Sequence, residues 1–218
     1  MRLAILMLVH LLVRPALAVL PQLVIGTGTP AQIGGIRVEP QDLVFCALDS
    51  VGAGATACRW SPFFDGKKAG LQTSVGAFDV LPDGSLVMRV DGDPAAGGGV
   101  PALPGLAPSD LARFVPDVPW KTPYLSGHWE RFLDGNAVAG SAARAWTGVS
   151  VLADGQCERS APMTCDVLLS APEGPALGGV PMRGGDIVRC TPTTFDSGGA
   201  ISGCQFSPSL NETYIPLS

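Results

Sequence analysis

The sequence predicts an all-β fold of about twelve short antiparallel strands, arranged as three four-stranded repeat units. Three observations predict it. Glycine and proline number 28 and 20 in 218 residues, a density that suits short strands and tight turns and breaks long helices. A Pro/Gly loop, an Asp and a short apolar run recur together three times along the chain. Four of the six cysteines sit at matching places in two of those copies, and the other two fall within one insert.

The chain opens on a leader. Basic Met1-Arg2 precedes an apolar run from Leu3 to Val13, interrupted only by His10, and then Arg14-Pro15-Ala16-Leu17-Ala18. Ala16-Leu17-Ala18 is the small-x-small pattern cut by signal peptidase, so residues 1–18 read as a secretory signal peptide. The apolar run is too short for a membrane anchor, since a spanning helix needs about 20 residues. The expected mature chain, 19–218, is one all-β repeat domain that is periplasmic or secreted, with units at approximately 22–82, 83–155 and 156–218. Loss of Arg2 and Arg14 leaves 12 basic residues against 19 acidic ones, a net charge of −7. Such a surface repels nucleic acid and anionic membranes, and neither is an expected partner.

The mature chain begins with a lone strand, Gln22-Leu23-Val24-Ile25-Gly26-Thr27, termed D by its place in the repeat. A Pro/Gly loop through Gly34-Gly35 then leads to Asp42-Leu43-Val44-Phe45-Cys46, strand A. The second copy of this segment runs from Pro101 through Pro104-Gly105 to Asp110-Leu111-Ala112-Arg113-Phe114. The third runs from Pro175 through Gly178-Gly179 to Asp186-Ile187-Val188-Arg189-Cys190. Strand B follows each time, as Cys58-Arg59-Trp60-Ser61-Pro62-Phe63-Phe64, Gly127-His128-Trp129-Glu130-Arg131-Phe132-Leu133 and Cys204-Gln205-Phe206-Ser207-Pro208. Aromatic residues alternating with polar ones mark a half-buried strand, and Asp65-Gly66 and Asp134-Gly135 end the first two in turns. Strand C and the next D form a hairpin about Pro82-Asp83-Gly84, because Gly supplies positive φ without steric cost. The second hairpin joins Gly148–Leu152 to Cys165–Ser170 through a turn lengthened by an insert. Thr213–Leu217 reads as a last strand C. The apolar clusters distinguish the chain from a disordered one, except near Gly97-Gly98-Gly99.

The run Trp60-Ser61-Pro62-Phe63-Phe64-Asp65-Gly66-Lys67-Lys68-Ala69-Gly70-Leu71, followed by Phe78-Asp79-Val80-Leu81-Pro82-Asp83-Gly84-Ser85-Leu86, resembles tandem repeats of bacterial exported proteins. Those read approximately W-S-x-Y-F-D-G-S-D-V-G-L and D-x-L-P-D-G-x-L. The resemblance implies a propeller-like extracytoplasmic module and carries no catalytic residues with it. It is best in the first copy. The second and third have drifted, with Ala137-Val138-Ala139-Gly140 after Asp134-Gly135 and no Asp-Gly after Phe206. Three units are few for an ordinary closed propeller, which uses about four to eight blades. A threefold pseudosymmetric β fold or a sandwich are the alternative packings.

In an exported chain the cysteines read first as disulfides. Cys46 and Cys190 each follow the repeat Asp by four residues, and Cys58 and Cys204 each precede the strand B aromatic by two. In the second copy those positions are Phe114 and Gly127, so both cysteines are absent together. That joint absence pairs Cys46 with Cys58 and Cys190 with Cys204, and leaves Cys157 with Cys165 to close the insert. Zinc lacks support, since no C-x-x-C occurs and His128 is the one histidine after the leader. No cofactor or metal is expected.

Catalytic motifs largely reduce to scaffold. Asp196-Ser197-Gly198-Gly199 resembles the Asp-Ser-Gly-Gly of chymotrypsin-like serine proteases, but the base that would activate Ser197 has no credible residue. Turn chemistry accounts for it, as for Asp49-Ser50 in the first copy. His128 alternates with Trp129 and is expected to face solvent. Asp91-Gly92-Asp93 falls well short of the six to eight oxygens Ca²⁺ takes. Asn211-Glu212-Thr213 fits an N-glycosylation pattern. The residues common to the copies are Asp42, Asp110 and Asp186, read as loop caps before strand A, and Trp60, Trp129 and Phe206, read as core anchors. The functional expectation is therefore a non-enzymatic exported module, structural or binding a ligand or protein. The alternative is a hydrolase using Asp79, Asp83 or Asp154. Unpaired sheet edges would invite a second copy or a protein partner.

Overall fold

Two apolar runs flanking Asp83-Gly84 do form a hairpin: β6 (Val75–Val80) pairs antiparallel with β7 (Leu86–Val90), and Gly84 has φ 82°. This computed structural model describes residues 22–50, 57–92, 99–140, 143–152 and 165–210. The leader, Asp93, Gly97 and Gly98, Asp154, Cys157, Asn211–Thr213 and the last strand C all lie outside these residues. The described residues are all-β apart from one turn of helix.

The chain begins with β1 (Gln22–Gly26), β4 (Leu43–Ser50) and β5 (Ala57–Phe64), a three-stranded sheet in the order β1-β4-β5. Next come β8 (Leu111–Pro116), β9 (Gly127–Leu133), β10 (Gly148–Leu152) and β11 (Asp166–Ser170), and finally β14 (Ile187–Phe195) and β15 (Ile201–Leu210). These six join β6 and β7 in one mixed sheet, ordered β10-β11-β14-β15-β9-β8-β7-β6. Its two end strands lie against each other, so the sheet is nearly closed.

Two features depart from the sequence expectation. The Pro/Gly loop is itself a hairpin in two copies, β2 (Ala31–Ile33) with β3 (Ile36–Val38) and β12 (Gly174–Leu177) with β13 (Val180–Met182). This brings the strands to fifteen among the described residues. Gly34-Gly35 and Gly178-Gly179 have φ of 56° and 83°, and 54° and 86°. Two consecutive positive φ values make the turn that matches strand twist. Pro104 holds the first of these places in the second copy, and its ring fixes φ near −65°, so no such hairpin closes there. The second departure is that the four-stranded groups are not separate sheets. A parallel contact of Leu133 with Ile201, with Asp134 N–H donating to the Ile201 carbonyl at 2.9 Å, fuses β9 to β15.

Strand register is alike at the three aligned positions. Cys46 lies opposite Trp60, Phe114 opposite Trp129, and Cys190 opposite Phe206. Cys46 is bonded to Cys58 and Cys190 to Cys204, with Cα–Cα distances of 5.4 and 5.2 Å. Each short loop so closed contributes about 2–3 kcal/mol. Cys165 is also disulfide-bonded. In the second copy a ring replaces the bond: Phe114 lies so close to Gly127 that a Cβ there would stand 2.7 Å from the ring and run into the Val115 carbonyl. We therefore expect Gly127→Ala to lose about 1–3 kcal/mol of stability by overpacking, read as a lower urea midpoint with unchanged slope.

Phe114 also meets Phe64 and Trp129 at ring-centroid distances of 5.2 and 5.0 Å, which sets one core between the first and second copies. A second core, between the second and third, gathers Leu133, Trp146, Val167, Leu169, Val188 and Ile201.

Candidate functional site

The three shared aspartates do the same local work. Asp42 accepts the Glu39 N–H at 3.1 Å and the Gly66 N–H at 3.0 Å. Asp110 accepts the Ala107 N–H at 3.0 Å and the Gly135 N–H at 2.8 Å. Asp186 accepts the Arg183 N–H at 2.8 Å. In the first two copies the carboxylate thus closes the turn before strand A and holds the glycine after strand B. That glycine cannot be larger, because a Cβ on Gly66 or Gly135 would collide with the Gln41 or Ser109 carbonyl. Burial raises the pKa of both Asp42 and Asp110 against the opposing pull of those N–H groups. A raised carboxyl can mark a catalytic acid, but here both oxygens are occupied by backbone donors and Asp110 is 3% exposed.

Asp65 and Asp134 cap the turns that follow. Their side chains accept the N–H of Lys68 at 3.0 Å and of Ala137 at 2.9 Å, and the second begins helix α1 (Gly135–Ala139). Trp60 and Trp129 are half-buried and Phe206 is buried. Trp60 packs on Gly34, where a Cβ would overlap its ring, and Trp129 donates its indole N–H to the Ala69 carbonyl at 2.7 Å.

The carboxylates proposed for catalysis are likewise engaged. Asp79 Oδ1 accepts the Val80 N–H at 2.9 Å, and its Oδ2 accepts the Val151 N–H at 2.6 Å across the gap between β6 and β10. Asp83 accepts from the Ser85 N–H and hydroxyl at 2.9 and 2.6 Å and pairs with Arg113, a buried arginine that also bonds the Ser85 hydroxyl at 2.9 Å. Burial raises the Asp83 pKa, but the Ser85 bonds and the Arg113 charge together hold it below the usual value. Ser197 is exposed at the tip of the β14–β15 hairpin, where Asp196 accepts the N–H of Gly198 and of Ala200 at 2.8 and 2.9 Å. His128 is exposed on β9.

One cavity is lined by side chains that the scaffold does not share among its copies. It opens where the β6–β10 seam widens away from the Asp79 bridge. It measures 480 Å³, and its lining includes Thr27, Gly76, Phe78, Arg89, Asp91 and Thr147. Gly76 lies at an irregularity in the β6–β7 register, and the Arg89 guanidinium covers it so closely that any Cβ there would collide with the guanidinium. Arg89 pairs with Asp91 at 2.8 Å, and Asp91 also accepts the Ser74 hydroxyl at 2.8 Å. Arg89 Nε and Thr27 Oγ1 are withdrawn from solvent with no hydrogen-bond partner among the described residues. The sequence signalled Asp91 but not Arg89, which reads there as an ordinary polar residue of a strand.

Two other surfaces stand out. A cleft of 750 Å³ borders Trp129, with Gln41, Lys67 and Gln72 around it. Its aromatic is committed to Ala69 and has a counterpart in Trp60, which marks it as scaffold. Three of the five exposed large apolar side chains among the described residues, Val118, Trp120 and Leu125, lie between β8 and β9. Trp120 has φ 62°, a strained conformation for a bulky side chain. Elsewhere, burial lowers the pKa of Arg144, whose guanidinium lies against Gly174 without a partner among the described residues. We expect Arg144→Met to raise stability by about 1–3 kcal/mol, because an unpaired buried donor costs that much. A higher thermal midpoint would show it.

Fold and cavity together define an all-β, disulfide-bonded protein with a nearly closed mixed sheet. Comparison with family models, curated proteins and solved structures finds no match for the chain.

Proposed function

We propose that the protein is a non-enzymatic extracytoplasmic binding module, built from three copies of one strand unit about a pseudo-threefold axis. The grouping is β6-β7-β8-β9, then β10-β11-β14-β15, and the three-stranded β1-β4-β5. The disulfides support an oxidising compartment, and among the described residues no helix is long and apolar enough to cross a membrane.

One observation carries the reading. Asp79 and Asp83 are spent on scaffold, while the seam cavity is lined by residues that differ between copies. Asp42, Asp110 and Asp186 recur and hold turns of the fold, whereas Arg89 and Asp91 in the cavity form a charged pair found in one copy alone among the described residues. The test is a panel of ester, phosphate and glycoside substrates, with and without Ca²⁺. No turnover above background is expected. Turnover abolished by Asp79→Asn or Asp83→Asn would overturn the reading in favour of a hydrolase.

The strained, exposed Trp120 favours a second reading, a protein-interaction subunit, because such strain persists at functional loops. Light scattering tests it. A mass above the monomer that reverts to monomer in Trp120→Ala supports this, and a strictly monomeric mass counts against it.

A further inference from the structure

We propose that the seam cavity binds a small neutral ligand carrying adjacent hydroxyl groups, a monosaccharide or cyclic polyol, through Arg89 and Asp91. This deepens the binding-module reading and rests on it.

The register places Arg89 in a position whose counterparts carry no charge. Leu23, Leu86 and Val167 pair with Cys46, Phe114 and Cys190 respectively. Three residues further on stand Gly26, Arg89 and Ser170, and five further on stand Gly28, Asp91 and Pro172. Only the middle copy puts an ion pair here. The fold does not need it, since two copies do without, and Gly76 is left without a side chain to make room for it.

The chemistry of the lining selects the ligand. Arg89 offers only donors, and Asp91, when ionised, only acceptors. Their charges cancel, so an anion meets the Asp91 carboxylate and a cation meets the guanidinium. A hydroxyl both donates and accepts, so neighbouring hydroxyls satisfy both groups at once. Thr27, also in the lining, adds a hydroxyl that has no partner among the described residues. Phe78 supplies an apolar wall against which the C–H face of a sugar ring can lie. The 480 Å³ volume falls within the roughly 300–1,000 Å³ of small-molecule sites.

The experiment is a titration of the ¹⁵N-labelled mature protein with glucose, N-acetylglucosamine and myo-inositol, with inorganic phosphate and acetate as charged probes. At least one neutral probe should give saturable shifts centred on the amides of Gly26, Gly28, Gly76, Thr147 and Gly148. Asp91→Asn and Arg89→Leu should each weaken binding about tenfold or more, the scale of one lost charge-assisted hydrogen bond. Gly28→Phe should abolish it by filling the cavity, and it should fold normally because a Cβ at Gly28 meets nothing within 4 Å. The inference is overturned if no neutral probe gives saturable shifts, if only phosphate or acetate does, or if binding survives in Gly28→Phe. The probe's own spectrum separates the two proposals. An unchanged probe with no protein shifts removes the ligand class and leaves the non-enzymatic reading standing. Shifts at the seam accompanied by conversion of the probe keep the site and overturn the non-enzymatic reading.

Discussion

Trp146→Ala should lower stability by about 3–5 kcal/mol, the cost of deleting a fully buried aromatic side chain. Trp146 is 0% exposed within the core between the second and third copies. Its indole N–H donates to the Ser109 carbonyl at 2.6 Å, so alanine removes both volume and a bond to the residue beside Asp110. A domain has about 5–15 kcal/mol in total, so the loss is a large share of it. Trp146→Phe separates the two contributions. It keeps most of the volume and should lose about 1–2 kcal/mol, chiefly the hydrogen bond. Urea unfolding followed by far-ultraviolet circular dichroism measures both. A loss below 1 kcal/mol in Trp146→Ala would show that this core is not as tightly filled as its burial implies.

Asp110→Ala should cost about 2–5 kcal/mol, since it leaves the buried Gly135 N–H and the partly buried Ala107 N–H without an acceptor. Asp110→Asn keeps one acceptor oxygen and should lose less. The difference between wild type and Asp110→Asn should also depend on pH. Burial raises the folded pKa of Asp110 above the unfolded 3.8. Folding therefore holds the proton more tightly, and this contribution is fully present below pH 3.8 and lost as pH rises through the folded value. The wild-type advantage over Asp110→Asn should accordingly be larger at pH 3 than at pH 7. An advantage that grows with pH would mean that the N–H donors and the Arg131 guanidinium, whose Nε lies 3.5 Å from Asp110 Oδ2, outweigh burial. Because Trp146 and Asp110 both hold the Ser109–Asp110 turn, their double variant should deviate from additivity.

Much of the scaffold was legible because its causes are local. Asp-Gly turns, aromatic alternation and the spacing of Cys46, Cys58, Cys190 and Cys204 are short-range signals. Asp42, Asp110 and Asp186 could be singled out by recurrence alone. The candidate site was not legible by that route. Matching copies finds what recurs, whereas Arg89 and Asp91 have dissimilar counterparts. Trp146 escaped for the same reason: aligning the turns Asp83-Gly84 and Asp154-Gly155 places Val75 at its position. The β2–β3 and β12–β13 hairpins were written as paired glycines, yet Gly-Gly is compatible with open loops as well as tight turns.

The sequence by itself determined the longer strands, the Asp83-Gly84 turn, and the meeting of Cys46 with Cys58 and of Cys190 with Cys204, since each depends on residues near one another in the chain. Only the tertiary structure decided that β9 would run parallel to β15, and that β6 would approach β10 with an Asp79 side chain in place of a continuous ladder. Those contacts join residues some seventy positions apart. Their energy comes from backbone groups every residue carries and from the shape of two packed cores, so no local pattern records them. The seam cavity lies along that incomplete closure, which is why Asp91 could be noticed in the chain but its meeting with Arg89, Thr27 and Thr147 could not.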